Sequence, residues 1–339
     1  MDTGLRRYDN TMSDRTDLPP VLVIAGPTAS GKSALALNLA AAYGGTIINA
    51  DALQVYRDLL TLSARPDAAA LARVPHLLYG CLDAAERGSA GKWRAMALVA
   101  IEAALAAGRL PIVVGGTGLS LRALQDGLAA IPPVPPAFRA EAAESYRALG
   151  GPVFRELLAT LDPVSAERLE VGDRQRLIRA YEVVRATGIS ILGWQQGRGE
   201  PAPYRFAKIL IMPPRETLYA AIDARFRAMI AAGGLAEAAA LMARGLDPEL
   251  PAMKAVGMSE LMRHLRGEIG LDEAILLAQR ATRRYAKRQT TWFRHQFAPD
   301  LRLDAQFSES LLQCSRHFVD RFLLTPEARL TRVPLPGPA

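Results

Sequence analysis

The chain is poor in the residues that build disulfides and metal clusters, with two cysteines and four histidines in 339 residues. Cys81 and Cys314 stand far apart, without the close spacing of a zinc or redox motif, so a reducing compartment without structural disulfides is expected. His76, His264, His295 and His317 show no ligand spacing either. No uninterrupted apolar run is long enough to span a bilayer, and residues 1 to 20 mix Arg, Asp and Thr without an apolar segment. Neither export nor a membrane partner is expected, and the implied location is cytoplasmic. No Asn-Lys-x-Asp stretch for guanine recognition occurs, and the apolar run before Gly115 ends without the acidic residue of a Walker B motif. Acidic residues are also missing from the whole stretch Ala274 to Pro299.

What is present is an ordinary globular composition, half apolar and 22% charged. A formal charge of +7 suits an anionic partner such as RNA. The cations are almost all arginine, with lysine only at 32, 92, 208, 254 and 287, and alanine is abundant. That bias gives individual Arg-for-Lys choices little functional weight. Single cores stop growing near ~250 residues, so this length predicts one large and one smaller domain.

Val21 to Ala25 is a short apolar run that stops at a glycine, and Ser33 to Tyr43 then repeats apolar residues at helical spacing. Strand-like runs at Thr46 to Ala50, His76 to Tyr79, Pro111 to Val114 and Ala207 to Met212 alternate with helical stretches such as Trp93 to Ala107. The pattern predicts an α/β protein: a P-loop NTPase-like parallel sheet covered by helices. Pro132, Pro133, Pro135 and Pro136 exclude helix interior and central strand and read as a linker. From Phe138 to about Gly197 the pattern is wholly helical, and Glu216 to Gln296 is helical again. The organisation predicted is a disordered tail over 1–20, a core formed by 21–130 plus 204–300, an all-helical insertion over 131–203, and a C-terminal extension over 301–339. The last residues, Arg332 to Ala339, contain three prolines and are expected to fray.

Gly26, Pro27, Thr28, Ala29, Ser30, Gly31, Lys32 and Ser33 match the G-x-x-x-x-G-K-[ST] phosphate loop, after a buried strand and at the start of a helix. Glycines let successive amides point inward, and the helix N-terminus adds partial positive charge, so the loop grips a di- or triphosphate. Lys32 supplies a point charge, and the Ser33 hydroxyl is placed for Mg²⁺ bridging phosphate oxygens. Nothing in the loop identifies a nucleotide. Asp51 ends the second strand-like run, where open parallel sheets form their ligand crevice. It faces the reacting phosphates, caps the following turn, or helps to hold Mg²⁺. Gly115-Gly116-Thr117-Gly118 is either a close approach to ligand or a simple tight turn.

In the acid-free stretch, Arg280, Arg283, Arg284, Lys287, Arg288 and Arg294 recur at helical spacings, with Trp292, Phe293 and His295 interleaved. Solvated helix faces normally mix signs, so phosphate contact plus stacking on an unpaired base is the reading favoured. A second cluster, Arg174, Gln175, Arg176 and Leu177 with Arg179 and Arg185, lies in the helical insertion; ion pairs with Glu167, Glu170 or Glu182 account for it equally well.

Taken in order, GPTASGKS (26–33), INADALQVY (48–56), VVGGTGL (113–119), DRQRLIRAYEV (173–183), LPAMKAVGMSEL (250–261) and KRQTTWFRHQ (287–296) resemble the tRNA dimethylallyltransferase family, from about Val21 to Arg294. The resemblance implies a monomeric enzyme whose loop binds the pyrophosphate of dimethylallyl pyrophosphate, with Mg²⁺, and whose insertion grips the tRNA anticodon stem-loop. The reaction implied is dimethylallyl transfer to the N6 amine of the adenosine immediately 3′ of the anticodon, in tRNAs reading codons that begin with U. Asp51 would be the general base, and Lys32, Ser33 and Arg225 would stabilise the leaving pyrophosphate. The tRNA path implied runs along Asp51, Ala52, Leu53 and Gln54, beside Thr117 and Arg139. It continues along Gln175, Arg176, Leu177, Ile178 and Arg179, then Lys254, Ala255, Val256, Gly257, Met258 and Ser259. Its last stretch is Lys287, Arg288, Gln289, Thr290, Thr291, Trp292, Phe293 and Arg294.

The chain departs from the family pattern at Ser120 and Met258, where aromatics are usual, and at Leu62-Ser63-Ala64-Arg65-Pro66, which stands for Gly-Thr-Ala-Lys-Pro. Rival readings are an adenylate isopentenyltransferase, a P-loop small-molecule kinase with Asp51 activating a hydroxyl, and a nucleotide-dependent RNA-binding module without transfer chemistry. The insertion and the cationic stretch argue against the first two, and Asp51 argues against the third.

Overall fold

The computed structural model describes residues 18–197 and 199–324. Most of the tail expected over 1–20, and all of Arg332 to Ala339, lie outside them; Pro20 already opens the first strand.

In chain order, β1 (Pro20–Ala25) leads into α1 (Lys32–Ala42), β2 (Thr46–Asn49), α2 (Ala68–Arg73), β3 (His76–Leu77), α3 (Ala90–Ala106), β4 (Pro111–Gly115) and α4 (Gly118–Asp126). After an inserted helical unit come β5 (Arg205–Ile211), α9 (Arg215–Met229), α10 (Leu235–Ala243), α11 (Met258–Leu265), α12 (Leu271–Gln296), β6 (Leu301–Leu303) and α13 (Glu309–Leu324). The strands form one parallel sheet in the order β3-β2-β4-β1-β5-β6. Both faces are covered, which is why β1 reads as an unbroken apolar run. Val21, Val23 and Ala25 pack with Trp93, Ile101, Phe226 and Phe293 on one face; Leu22 and Ile24 pack with Leu35, Leu39, Phe318 and Val319 on the other. Each fully buried Val, Leu, Ile or Phe side chain among them contributes about 1.5–3 kcal/mol.

One sequence expectation needs correction. Residues 301–339 were set apart from the core, yet Leu301–Leu303 pairs with β5 as the edge strand and α13 covers the face that holds α1. Three strand residues are too few to display a period. Arg215–Ala243 is one helical run long and apolar enough to cross a membrane by length and composition, although it contains no long uninterrupted apolar run. Asp223, Arg225, Arg227 and Glu237 interrupt its apolar residues, and Ile222, Phe226, Met229, Ala238 and Leu241 on its inner face belong to the protein interior.

The inserted unit spans Asp126–Pro201. It holds α5 (Pro136–Leu161), α6 (Pro163–Arg168), α7 (Arg174–Thr187) and α8 (Ile191–Gln196) around Phe154, Leu158, Leu177 and Tyr181. Pro135 and Pro136 open α5, where a missing amide costs nothing. Gly150, at φ 72°, and Pro152 kink α5 within this stretch of helical pattern. Asp162 and Asp173 cap α6 and α7 by accepting backbone N–H bonds.

Candidate active site

The chain leaves β1 through Gly26 and turns at Ala29 (φ 63°) and Gly31 (φ 92°) into α1. Gly31 offers no side-chain cap, so the first amides of α1 stay available to an anion. The Ser30 hydroxyl is buried without a hydrogen-bond partner among the described residues, a polar group inside the loop that only a ligand or water satisfies. Lys32 folds over the loop, its ammonium donating to the Pro27 carbonyl at 3.3 Å. Burial, against the pull of Asp51 and with the push of Arg225, lowers its pKa to about 8. Arg225, on α9, donates to the Thr28 hydroxyl; burial lowers its pKa too, and Asp51 opposes the shift.

Asp51 is thus brought within electrostatic reach of both cations. Its backbone N–H donates to the side-chain oxygen of buried Asn49 at 2.8 Å, and its carbonyl accepts from the Asn49 amide at 3.1 Å. One carboxylate oxygen accepts from Leu53 N–H at 2.9 Å, so the turn-capping role proposed from sequence is real. That occupies one oxygen; the other accepts no hydrogen bond among the described residues. Tyr79 and Tyr285 lie within electrostatic reach of the carboxylate, and burial first, then the Asp51 charge, raises the pKa of both.

The Gly115–Gly118 turn is neither of the two alternatives alone. Thr117 accepts from Ala52 N–H at 3.0 Å and bonds Tyr285, tying the turn to the Asp51 loop. A Cβ at Gly116 would collide with the Gln289 amide, and one at Gly118 with the Trp292 ring. The glycines make room for α12. Gln289 then bridges two loops: its oxygen accepts from Thr28 N–H and its nitrogen donates to the Gly116 carbonyl, both at 2.9 Å.

Beside these groups lies a cavity of about 50 Å³. Its polar lining is Thr28, Asp51, Ser63, Arg225, Thr282 and Tyr285; its apolar lining is Leu53, Leu62, Ile222, Phe226, Met229 and Val256.

Other expected residues divide by burial. On α12, Arg280, Arg284, Lys287, Arg288, Thr291 and Arg294 are exposed, whereas Arg283 pairs with Asp223. Base stacking by Phe293 is ruled out: it is 1% exposed and packs with Trp292 and Phe297 in an aromatic cluster, because its position falls on the inner face of α12. Gln289 is likewise committed inward. In 254–259, Lys254 is exposed and paired with Glu249, Ser259 is exposed, Val256 lines the cavity, and Ala255, Gly257 and Met258 are buried. Met258 and Ser120, the departures from the family aromatics, both lie inside. Gln54 donates to the carbonyls of Ser63 and Ala64.

Within the inserted unit, most of the named cations are paired. Arg139 and Arg179 both reach buried Glu182, at 3.5 and 3.1 Å; Arg176 meets Asp173 at 3.2 Å and Arg185 meets Glu141 at 3.1 Å. Gln175 is exposed, Leu177 sits in the unit's core and Ile178 packs against it. Sequence reasoning missed Asn49, Tyr79, Tyr285, Phe226 and Met229. The signal for the last two was their spacing from Arg225, one and four residues on.

A family model described as IPP transferase matches residues 54–296, and one described as isopentenyl transferase matches residues 19–79. A tRNA dimethylallyltransferase of Rhodospirillum centenum is 57% identical over 287 residues, covering 84% of this chain and 91% of that protein. The chain belongs to the IPP transferase family. Enzymes of this family transfer a prenyl group to tRNA. The tRNA dimethylallyltransferase of Rhodospirillum rubrum is 55% identical, with 90% and 96% of the two chains covered. Among solved structures, the full-length tRNA isopentenylpyrophosphate transferase of Bacillus halodurans matches this IPP transferase with a TM-score of 0.66 at 30% identity, covering 90% and 97%. A eukaryotic dimethylallyltransferase acting on tRNA matches with a TM-score of 0.78 at 25% identity, covering 90% and 80%.

Proposed function

We propose that this IPP transferase moves a dimethylallyl group from dimethylallyl pyrophosphate to the N6 amine of the adenosine immediately 3′ of the anticodon, in tRNAs reading codons that begin with U. The observation that carries the reading is a single constellation: Asp51 within electrostatic reach of Lys32 and Arg225, with Asp51 and Arg225 lining a cavity whose other walls include Leu62, Ile222, Phe226 and Met229. The polar lining suits a diphosphate and the apolar lining a short hydrocarbon.

An adenine amine is a weak nucleophile because its lone pair is delocalised into the ring. As that pair forms the N6–C1 bond, the C1–O bond of the donor breaks and its electrons leave with pyrophosphate. Asp51 accepts the proton that N6 releases, which lowers the barrier by general-base catalysis. Lys32, Arg225 and the amides at the start of α1 meet the charge gathering on the leaving group. The described residues contain no cluster of three or more His, Cys, Asp or Glu able to hold a metal. The loop's chemistry fits Mg²⁺ held by Ser33 and the donor's own phosphate oxygens, where it would add positive charge at the departing diphosphate. The target base leaves its stack to react. Exposed cations of α12 supply phosphate contacts, and the inserted unit, with Gln175 exposed, grips the anticodon stem-loop.

The deciding experiment incubates the protein with dimethylallyl pyrophosphate, Mg²⁺ and either tRNA or AMP, then weighs the products. A prenylated adenosine from tRNA supports the reading. Prenylated AMP with untouched tRNA would replace it by adenylate prenylation.

A further inference from the structure

We infer that Leu62 and Met229 limit the donor to a five-carbon prenyl chain. The inference rests on the donor reading above and adds what sets the donor's length. Ile222, Arg225, Phe226 and Met229 follow the spacing of one helix face on α9, and all four line the cavity. Arg225 touches the phosphate loop at Thr28. Met229, one turn later, stands about 6 Å further along the axis. The interval between the diphosphate site and the apolar wall is therefore one helical turn.

Immediately after Met229 the backbone is specialised. Regular helix ends at Met229, and Ile230–Gly234 forms a π-helical turn with Gly233 at φ 98°. A Cβ at Gly234 would lie 2.8 Å from the Met229 carbonyl oxygen and 2.9 Å from Leu62 Cδ2. Leu62 and the backbone of Met229 thus both crowd Gly234, with no space there for a methyl group.

The opposite wall is a clamped turn. Glu237 of α10 accepts from the N–H groups of Leu60, Thr61 and Leu62 at 2.9, 2.7 and 2.9 Å. Gln54 donates to the Ser63 and Ala64 carbonyls, both at 2.9 Å, and Ala64 is held at φ 53°, a conformation that costs a non-glycine residue strain. This is the stretch in which the sequence departs from its family pattern, and its role is to present Leu62 to the cavity. A ten-carbon donor with its diphosphate on the same loop would have to put its second isoprene unit where Leu62 and Met229 stand.

The test compares kcat/KM for dimethylallyl pyrophosphate and geranyl pyrophosphate with tRNA as acceptor, reading each prenylated nucleoside by mass. Wild type should prefer the five-carbon donor by about 100-fold or more. Leu62→Ala removes the wall but keeps the backbone N–H groups that Glu237 binds, and should cut that preference at least tenfold, as should Met229→Ala. Glu237→Ala frees the turn and should lower the preference while the KM for tRNA stays put, a pattern that loss of fold would not produce. If wild type uses both donors equally, or if Leu62→Ala transfers the five-carbon group with its preference intact, the inference is overturned alone. A wild type that moves no five-carbon group to tRNA overturns the donor reading and the inference together.

Discussion

Asn49 holds Asp51 by both of its backbone groups, accepting from the N–H at 2.8 Å and donating to the carbonyl at 3.1 Å, while the same amide also donates to the Leu78 carbonyl at 3.0 Å. Leu78 sits at φ 65°, and Tyr79 beside it lies within electrostatic reach of the Asp51 carboxylate. Asn49→Ala should therefore displace the base and its neighbour together. The expected result is a fall in kcat of about 10- to 100-fold, with a loss of stability of about 1–3 kcal/mol from stranded backbone groups. Single-turnover transfer rates and a urea melt measure the two effects separately.

Asp51→Ala removes the proposed proton acceptor and should lower the transfer rate by about 10²–10⁴-fold while tRNA affinity changes little. Filter binding alongside the transfer assay checks both halves. A fully active variant would remove the base assignment.

Gln289 fills both of its hydrogen-bonding ends with backbone from two different loops. Gln289→Leu keeps the shape and strands Thr28 N–H and the Gly116 carbonyl, costing about 1–3 kcal/mol. A raised KM for the prenyl donor, with tRNA affinity retained, is the expected kinetic signature, since the phosphate loop loses its brace. Loss of tRNA affinity alone would instead make Gln289 an RNA contact.

Exposed Arg284 and Arg288 should contribute to tRNA binding through phosphate. Replacing either by Glu should weaken binding and flatten the salt dependence by about one unit of log K against log salt per contact. Arg283→Ala, whose partner is Asp223, should change stability more than the salt slope. Titrations at several salt concentrations test the contrast.

Lys32 gives the site a pH dependence. Burial lowers its pKa to about 8, so the unfolded chain holds this proton more tightly than the folded one. The group therefore opposes folding of the ligand-free protein in full below about pH 8, and that penalty fades as pH rises from about 8 to the unfolded value of 10.5. A diphosphate favours the charged ammonium, so above pH 8 its binding must take up a proton. Affinity for inorganic pyrophosphate should fall as pH rises past 8, relative to a Lys32→Met protein in which only the ligand titrates. Calorimetry in buffers of different ionisation heat counts the proton, and zero uptake at pH 8.5 would contradict the assignment.

Much of this was legible in the sequence because it is written locally. The unbroken apolar run of β1, the glycines of the loop and the helical repeat of α1 are neighbours along the chain, and nearest-neighbour geometry decides what they form. The same holds for Asp51, whose place at a strand end marks it as a crevice residue, and for the cationic spacing of α12.

The tertiary structure alone decided which partners meet across long separations. Gln289 reaches Thr28 over 261 positions and Glu237 reaches Leu62 over 175, and no periodicity encodes such pairings. It also sorted one helix into inside and outside, turning Phe293 and Gln289 from expected RNA contacts into core and brace while leaving Arg284 and Lys287 exposed. Spacing along a sequence carries the angle between side chains, but which angle faces the interior is settled only by what packs there.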